Sequence, residues 1–201
     1  MKVLLATTNT AKIARLRKLM KETTVEFFMP TDLDLPVCEI EEGSDIAQNA
    51  RAKALAYLGQ TDFPILGMDS AFVIPGVELD PAKVKRNALV DREESSMTRE
   101  EIARAILDFY CALVTEHGGR LPAYWEEVLA LVFSNGTIKE ARAKRPVILT
   151  TEIHGEVNPY FPLRSLYIVG ATGKYVCEQS PEEEAMELRP IREALRELFG
   201  E

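Results

Sequence analysis

Positive charge, cysteine and long apolar runs are all in short supply in this sequence. With 24 Lys and Arg against 32 Asp and Glu, the formal net charge is −8. A nucleic-acid partner is therefore not expected, because neutralising a phosphate backbone takes a net basic face, although a local group of lysines can still receive a small anion. The cysteines, Cys38, Cys111 and Cys177, are far apart, odd in number and without metal-ligand spacing. They read as reduced core thiols rather than a disulfide framework or a zinc site. No run approaches the roughly 18 apolar residues of a membrane span, and the N-terminus opens on a strand-like run rather than a signal peptide. The expectation is a cytoplasmic protein with no membrane partner. Histidine occurs twice; His117 precedes Gly118-Gly119 where a helix should stop, His154 precedes a glycine, and neither is read as catalytic.

What is present is an ordinary globular composition, 46% hydrophobic and 28% charged over 201 residues. That length suits one sizeable core, so residues 1–201 are read as a single domain. Val3-Leu4-Leu5-Ala6 has the form of a buried strand, and Ile13, Leu16, Leu19 and Met20 recur at helical spacing after it. Residues 25–30 read as a second strand ended by proline. Ser44 is the expected cap of a helix striped by Ile46, Ala50, Ala54, Tyr57 and Leu58, and residues 63–69 as a brief buried strand ending near Asp69. The order strand, helix, strand, helix, strand favours an α/β arrangement.

Residues 78–97 are polar and irregular, and a mobile connection or lid is expected there. Thr98 and Glu101 form a capping box for a long helix carried by Ile102, Ile106, Phe109 and Leu113. Two strands joined by Ser-Asn-Gly make a hairpin, and residues 146–153 read as a further strand. Residues 166–169 and 174–178 read as short strands around a Gly-Ala-Thr-Gly turn. Ser180 caps a last helical stretch, which Pro190 should interrupt near Arg189.

The polar stretch Thr7-Thr8-Asn9, with Lys12 following, falls on the first strand-to-helix turn. Exposed backbone amides and the helix dipole make such a turn attractive to phosphate, while the plain alternative is a helix cap beside a solvated lysine. Glu41, Glu42 and Asp69 are acids at the mouths of elements. Magnesium prefers a few carboxylates completed by water and phosphate oxygens, whereas loop acids are also commonly just solvated. Asp69 stands at the expected C-terminal end of a strand, where ligands of open α/β sheets gather, or else closes an Asx turn. Asn49 and Lys53, four residues apart, share a helix face that either meets a polyphosphate or is a surface stripe.

Thr7, Asn9 and Lys12 in T-x-N-x-x-K, the loop Glu41-Glu42-Gly43 leading to Asn49-Ala50-x-x-Lys53-Ala54, and Asp69-Ser70 after an apolar strand resemble the Ham1 family. These are the inosine/xanthosine triphosphate pyrophosphatases. Gly173-Lys174, Glu178 and Ser180-Pro181-Glu182-Glu183 are similar to the family's stretch near its C-terminus. The match covers about residues 1–77 and 173–199.

The resemblance implies an elongated mixed β-sheet flanked by helices, with two lobes around a central cleft, usually as a homodimer. It implies cleavage of a nucleoside triphosphate to monophosphate and pyrophosphate, with Mg2+, or Mn2+ in its place. Asn9, Lys12 and Lys53 would hold phosphates, Glu41 and Asp69 the metal, and Asp69 the attacking water. Thr7, Asn49, Ser70, Lys174 and Arg189 complete the implied substrate contacts, with Lys174 near the base. The family commonly reads D-D-S-G where this chain has Met68-Asp69-Ser70-Ala71. Its F-G-Y-D-P stretch has no clean counterpart in residues 161–165, and only Arg189 matches the S-H-R signature. Because unpartnered polar groups decide which base a pocket accepts, a changed base choice is expected. The alternative from another class is a nucleotide-binding sensor or scaffold without catalysis.

Overall fold

The computed structural model describes residues 1–38, 40–79, 84–90 and 92–201. Its six strands form one mixed sheet in the order β2-β1-β3-β4-β5-β6. The strands are β1 (Lys2–Leu5), β2 (Glu26–Phe28), β3 (Ile65–Val73), β4 (Arg120–Val132), β5 (Ile138–Thr150) and β6 (Tyr167–Val169). The helices are α1 (Thr10–Leu19), α2 (Ile46–Leu55), α3 (Val84–Leu89), α4 (Arg99–Glu116), α5 (Pro181–Glu187) and α6 (Arg189–Phe199). β1 is parallel to both β2 and β3, whereas β5 and β6 are antiparallel. No described helix is long and apolar enough to cross a membrane.

The chain divides into two compact units, the first of residues 1–71, 126–144 and 188–201, the second of residues 72–125 and 145–187. In the first, β1 is buried on both faces, as a parallel strand covered by helices must be. Val3 and Leu5 join Ile13 and Leu16 of α1 and Ile191, Leu195 and Leu198 of α6. Leu4 faces the other way, with Ala54, Tyr57 and Ile65. In the second unit, Leu107, Tyr110 and Val114 of α4 pack with Phe72, Val147, Leu149, Tyr167 and Val169.

Several elements differ from the sequence expectation. Asp45, not Ser44, caps α2, its carboxylate accepting from the amides of Ala47 at 2.8 Å and Gln48 at 3.2 Å. That helix stops at Leu55, and Leu58 is exposed. β3 does not end near Asp69 but continues to Val73, because Ala71, Phe72 and Val73 prolong the buried pattern. Residues 138–150 are one strand rather than two; the carbonyl of Pro146, inside it, accepts from Gly170 at 2.9 Å. Residues 174–178 contain a single-turn 3-10 helix over Val176–Glu178, leaving only an isolated bridge between Ile168 and Tyr175.

Within 78–97, α3 and a turn over Glu94–Ser96 replace the irregular connection, with an ion pair between Lys85 and Glu94. Residues 80–83 and 91, also part of that expectation, lie outside the described residues. The cysteines are free, but Cys38 and Cys111 are half-buried and Cys177 is exposed, so none is a core thiol. The capping box of Thr98 and Glu101, the break between α5 and α6, and the reciprocal bonds of Ser180 and Glu183 are as the sequence indicates.

Candidate active site

A glycine sets the geometry. A Cβ on Gly67 of β3 would come within 2.0 Å of the carbonyl oxygen of Ala50 and 2.9 Å of the amide of Ala54. Its absence lets the small-residue face of α2, with Ala47, Ala50 and Ala54 buried, lie directly on the strand. Side chains of a strand alternate between faces, so Asp69, two residues on from Gly67, shares the face that α2 covers. Met68 takes the opposite face and joins Leu66 in the core. The residue standing where the family commonly has a second acid is thus core packing here, 4.0 Å from an Arg15 nitrogen.

Asn49 and Lys53, one helical turn apart, both reach Asp69. The buried Asn49 amide donates to Asp69 Oδ2 at 2.9 Å and clasps Gly43, accepting from its N–H and donating to its carbonyl, each at 2.9 Å. Lys53 Nζ lies 2.8 Å from Asp69 Oδ1 and 2.8 Å from Glu42 Oε1. Asn49 therefore ties the acidic loop and the strand carboxylate into one frame, with the ammonium between two carboxylates. The Asx-turn alternative for Asp69 falls away, since the residue lies inside β3.

Electrostatics separate the two lysines. Burial alone would lower Lys53, but its hydrogen bonds to Asp69 and Glu42 outweigh this and hold it above the ordinary lysine value. Lys12 sits below that value, through burial first and then the like charges of Lys53 and Arg15, against the pull of Asp69 and Glu42. Lys12 is thus a crowded cation within electrostatic reach of the same acids. Asn9 caps α1, its Oδ1 accepting from the Lys12 amide at 3.0 Å, and Thr7 Oγ1 accepts from the Asn9 amide at 3.1 Å.

Lys12, Lys53, Asn49 and Asp69 come together as the sequence pattern suggests. The loop acid meeting them is Glu42, and it and the neighbouring Glu41 are both exposed. Ser70 follows on the strand face opposite Asp69. Lys174 belongs to the second unit, 2.7 Å from Glu183, and Arg189 pairs along its own helix with Glu193 at 2.7 Å. The sequence reading missed two ionic pairs. Arg15 meets the buried Glu127 of β4 at 3.5 Å, and Arg145 meets Glu187 at 2.6 Å. The signal for the first was an acid opening the apolar run of residues 127–133; for the second there was none, since nothing local pairs residues 42 positions apart.

Among the described residues there is no group of three or more His, Cys, Asp or Glu arranged to hold a metal. Asp69 and Glu42 nevertheless converge on one cation, and magnesium commonly takes only one or two carboxylates, so these residues fit such an ion.

The mixed sheet, with a group of lysines and carboxylates gathered on it, defines an α/β protein. The Ham1 family model matches residues 3–156, and the chain belongs to that family. A curated dITP/XTP pyrophosphatase of Coxiella burnetii is 31% identical over 81 residues, a match spanning 40% of each chain. A solved HAM1 protein from Coxiella burnetii superposes with a TM-score of 0.75 at 24% identity, covering 100% of this chain and 98% of the other. A nucleoside-triphosphatase / dITP/XTP pyrophosphatase from Mycobacterium abscessus gives 0.69 at 22% identity, covering 99% of each. The Staphylococcus aureus Ham1 protein gives 0.71 at 17%, covering 100% and 98%. At these identities the structural matches establish the shared fold.

Proposed function

We propose that this chain is a magnesium-dependent nucleoside triphosphate pyrophosphohydrolase, releasing a nucleoside monophosphate and pyrophosphate. The observation that carries the reading is the meeting of Lys53 with both Asp69 and Glu42 in a Ham1 family member, with Lys12 as a second cation in reach. A polyphosphate relieves the repulsion between these lysines, so Lys12 and Lys53 are the phosphate holders. Asn9 and Thr7, whose oxygens already brace the start of α1, keep that turn in place, and the Asn9 amide group is the donor left for phosphate.

Asp69 and Glu42, with Glu41 beside them, are the residues that would hold magnesium, or manganese in its stead. A bound ion supplies neutralisation of phosphate charge and acidifies water. Asp69 orients the attacking water and takes its proton as the α–β anhydride opens, and Asn49 keeps the carboxylate turned for that task. Ser70, Lys174 and Arg189 complete the proposed substrate contacts. Lys174 and Arg189 each hold a carboxylate, so contact with a base requires them to exchange that partner. A homodimer and a cytoplasmic setting belong to the same proposal, the former tested by sedimentation.

The deciding experiment is pyrophosphate release from a panel of canonical and non-canonical ribo- and deoxyribonucleoside triphosphates, with magnesium and with excess chelator. Turnover of at least one triphosphate, stopped by chelator, is expected. Undiminished release in chelator removes the metal from the proposal. Binding of a triphosphate with no release from any member replaces the enzyme by a nucleotide sensor.

A further inference from the structure

The Lys53 ammonium lies where a metal ion would satisfy the same two carboxylates. It is held 2.8 Å from an oxygen of each, and the Asp69 carboxylate is braced from behind. Asp69 is set in β3 and braced by Asn49, and Asn49 also clasps Gly43, the neighbour of Glu42. Asp69 is the anchored member of the group, while the lysine, with its four-carbon stem, and the exposed Glu42 side chain can move. For a divalent ion to reach Asp69 and Glu42 the ammonium must leave them. Displaced, it remains close to Lys12, which already feels the like charges of Lys53 and Arg15. Without an anion present, the ammonium has no favourable place to go.

Resting on the proposed reading of this group as a metal-assisted triphosphate site, we infer that Lys53 is an internal competitor for the metal. It occupies the two carboxylates until a polyphosphate draws it away, so that the free protein binds divalent cations poorly and loads them together with substrate. The lysine thus has two stations, one on the carboxylates and one on phosphate. The coupling between metal and phosphate follows from the anion drawing the competing ammonium off the carboxylates, and it is reciprocal, as linkage requires. Its consequence is that a free enzyme does not hold an activated metal-bound water in the absence of a target.

The test reads Mn2+ binding to the full chain without nucleotide, by electron paramagnetic resonance of the free ion. Wild type is expected to bind weakly, and Lys53→Met to bind about ten-fold or more tightly, because a unit positive charge beside the ion has been removed. Lys53→Arg, which keeps the charge, stays weak, and Lys53→Gln repeats the tightening should the Met variant fold poorly. Asp69→Asn in the Lys53→Met background abolishes the gain. Equal Mn2+ affinity in wild type and both neutral variants overturns the competition, and if pyrophosphate release still needs metal the site reading survives that failure. Absence of Mn2+ binding in every variant, together with absence of pyrophosphate release, overturns the site reading and the competition with it.

Discussion

In the first unit Asp69 and Glu42 share one ammonium, and the group is partly open, with the side chains of Glu42 53%, Lys53 16% and Asp69 10% exposed. In the second, Arg145 and Glu187 meet at 2.6 Å with side chains 5% and 2% exposed, and Glu187 Oε2 has no hydrogen-bond partner. The chemistry is the same, carboxylate on cation, but the surroundings give it opposite uses. A sealed pair pays a large desolvation cost, and neither charge can be left without the other. In the open group the ammonium faces two acids and solvent reaches it, so water and other ions have access to the charges. The difference teaches that the candidate site is marked less by charge than by the access solvent has to its charges, which a sealed pair does not offer.

The contrast is most sharply broken at the sealed pair. Arg145→Met strands the Glu187 carboxylate and should destabilise the protein by about 3–5 kcal/mol in denaturant unfolding. Adding Glu187→Leu should recover most of that loss, because two apolar groups need no partner. A single-variant cost near zero would mean the pair is as exchangeable as the open group.

At the open group the large effect falls on turnover instead. Asp69→Asn keeps the shape and removes the charge, and pyrophosphate release should fall on the order of 10²-fold or more. The melting temperature should move little, since an amide still fits between Asn49 and Lys53. An unchanged rate would make Asp69 a structural partner like Glu187.

Lys12 sharpens the comparison through its sign. Its folded value is depressed below the unfolded lysine value of 10.5, so between the two the unfolded chain binds more protons and stability rises with pH. Below the depressed value, the charged lysine costs stability. Lys12→Met should therefore be about 0.5–1 kcal/mol more stable at neutral pH, lose the rise in stability towards pH 10.5, and bind triphosphate more weakly. A variant less stable at pH 7 than wild type would show that Lys12 is a structural cation.

The smallest expected effects separate the two loop acids. Glu42→Gln should raise the magnesium concentration for half-maximal turnover by several-fold, as the loss of one of the few carboxylates available to a hard cation. Glu41→Gln should act in the same direction through the same loop. An unchanged magnesium requirement in Glu41→Gln removes that residue from the proposed ligands and leaves Glu42 with Asp69.

Local physics is legible in the sequence. The apolar run of β1, the capping box of Thr98 and Glu101, and the proline dividing α5 from α6 are short-range signals, and they stand in the structure as read. The i, i+4 spacing of Asn49 and Lys53 likewise put both on one face before any fold was known. What was misread depends on partners distant in sequence. The sequence points to an end of β3 near Asp69 because polar residues in a strand look like its boundary. Only α2 packed on Gly67 explains how a carboxylate can sit mid-strand, its charge met from the neighbouring helix. Pro146 likewise suggests a break within residues 138–150, yet this local breaker is tolerated in a strand held by its neighbours.

The sequence by itself determined that the chain is α/β, that a polar turn of Thr7, Thr8 and Asn9 heads α1, and that Asn49 and Lys53 share a helix face, because periodicity, caps and spacing are written in neighbouring residues. Tertiary structure alone decided that Glu42 meets Lys53, that Asn49 joins Gly43 to Asp69, and that Arg145 seeks Glu187. Each of these is a pairing or burial set by which face of a strand or helix a neighbour covers. A one-residue change of face turns a polar partner into core, and no local propensity encodes that choice.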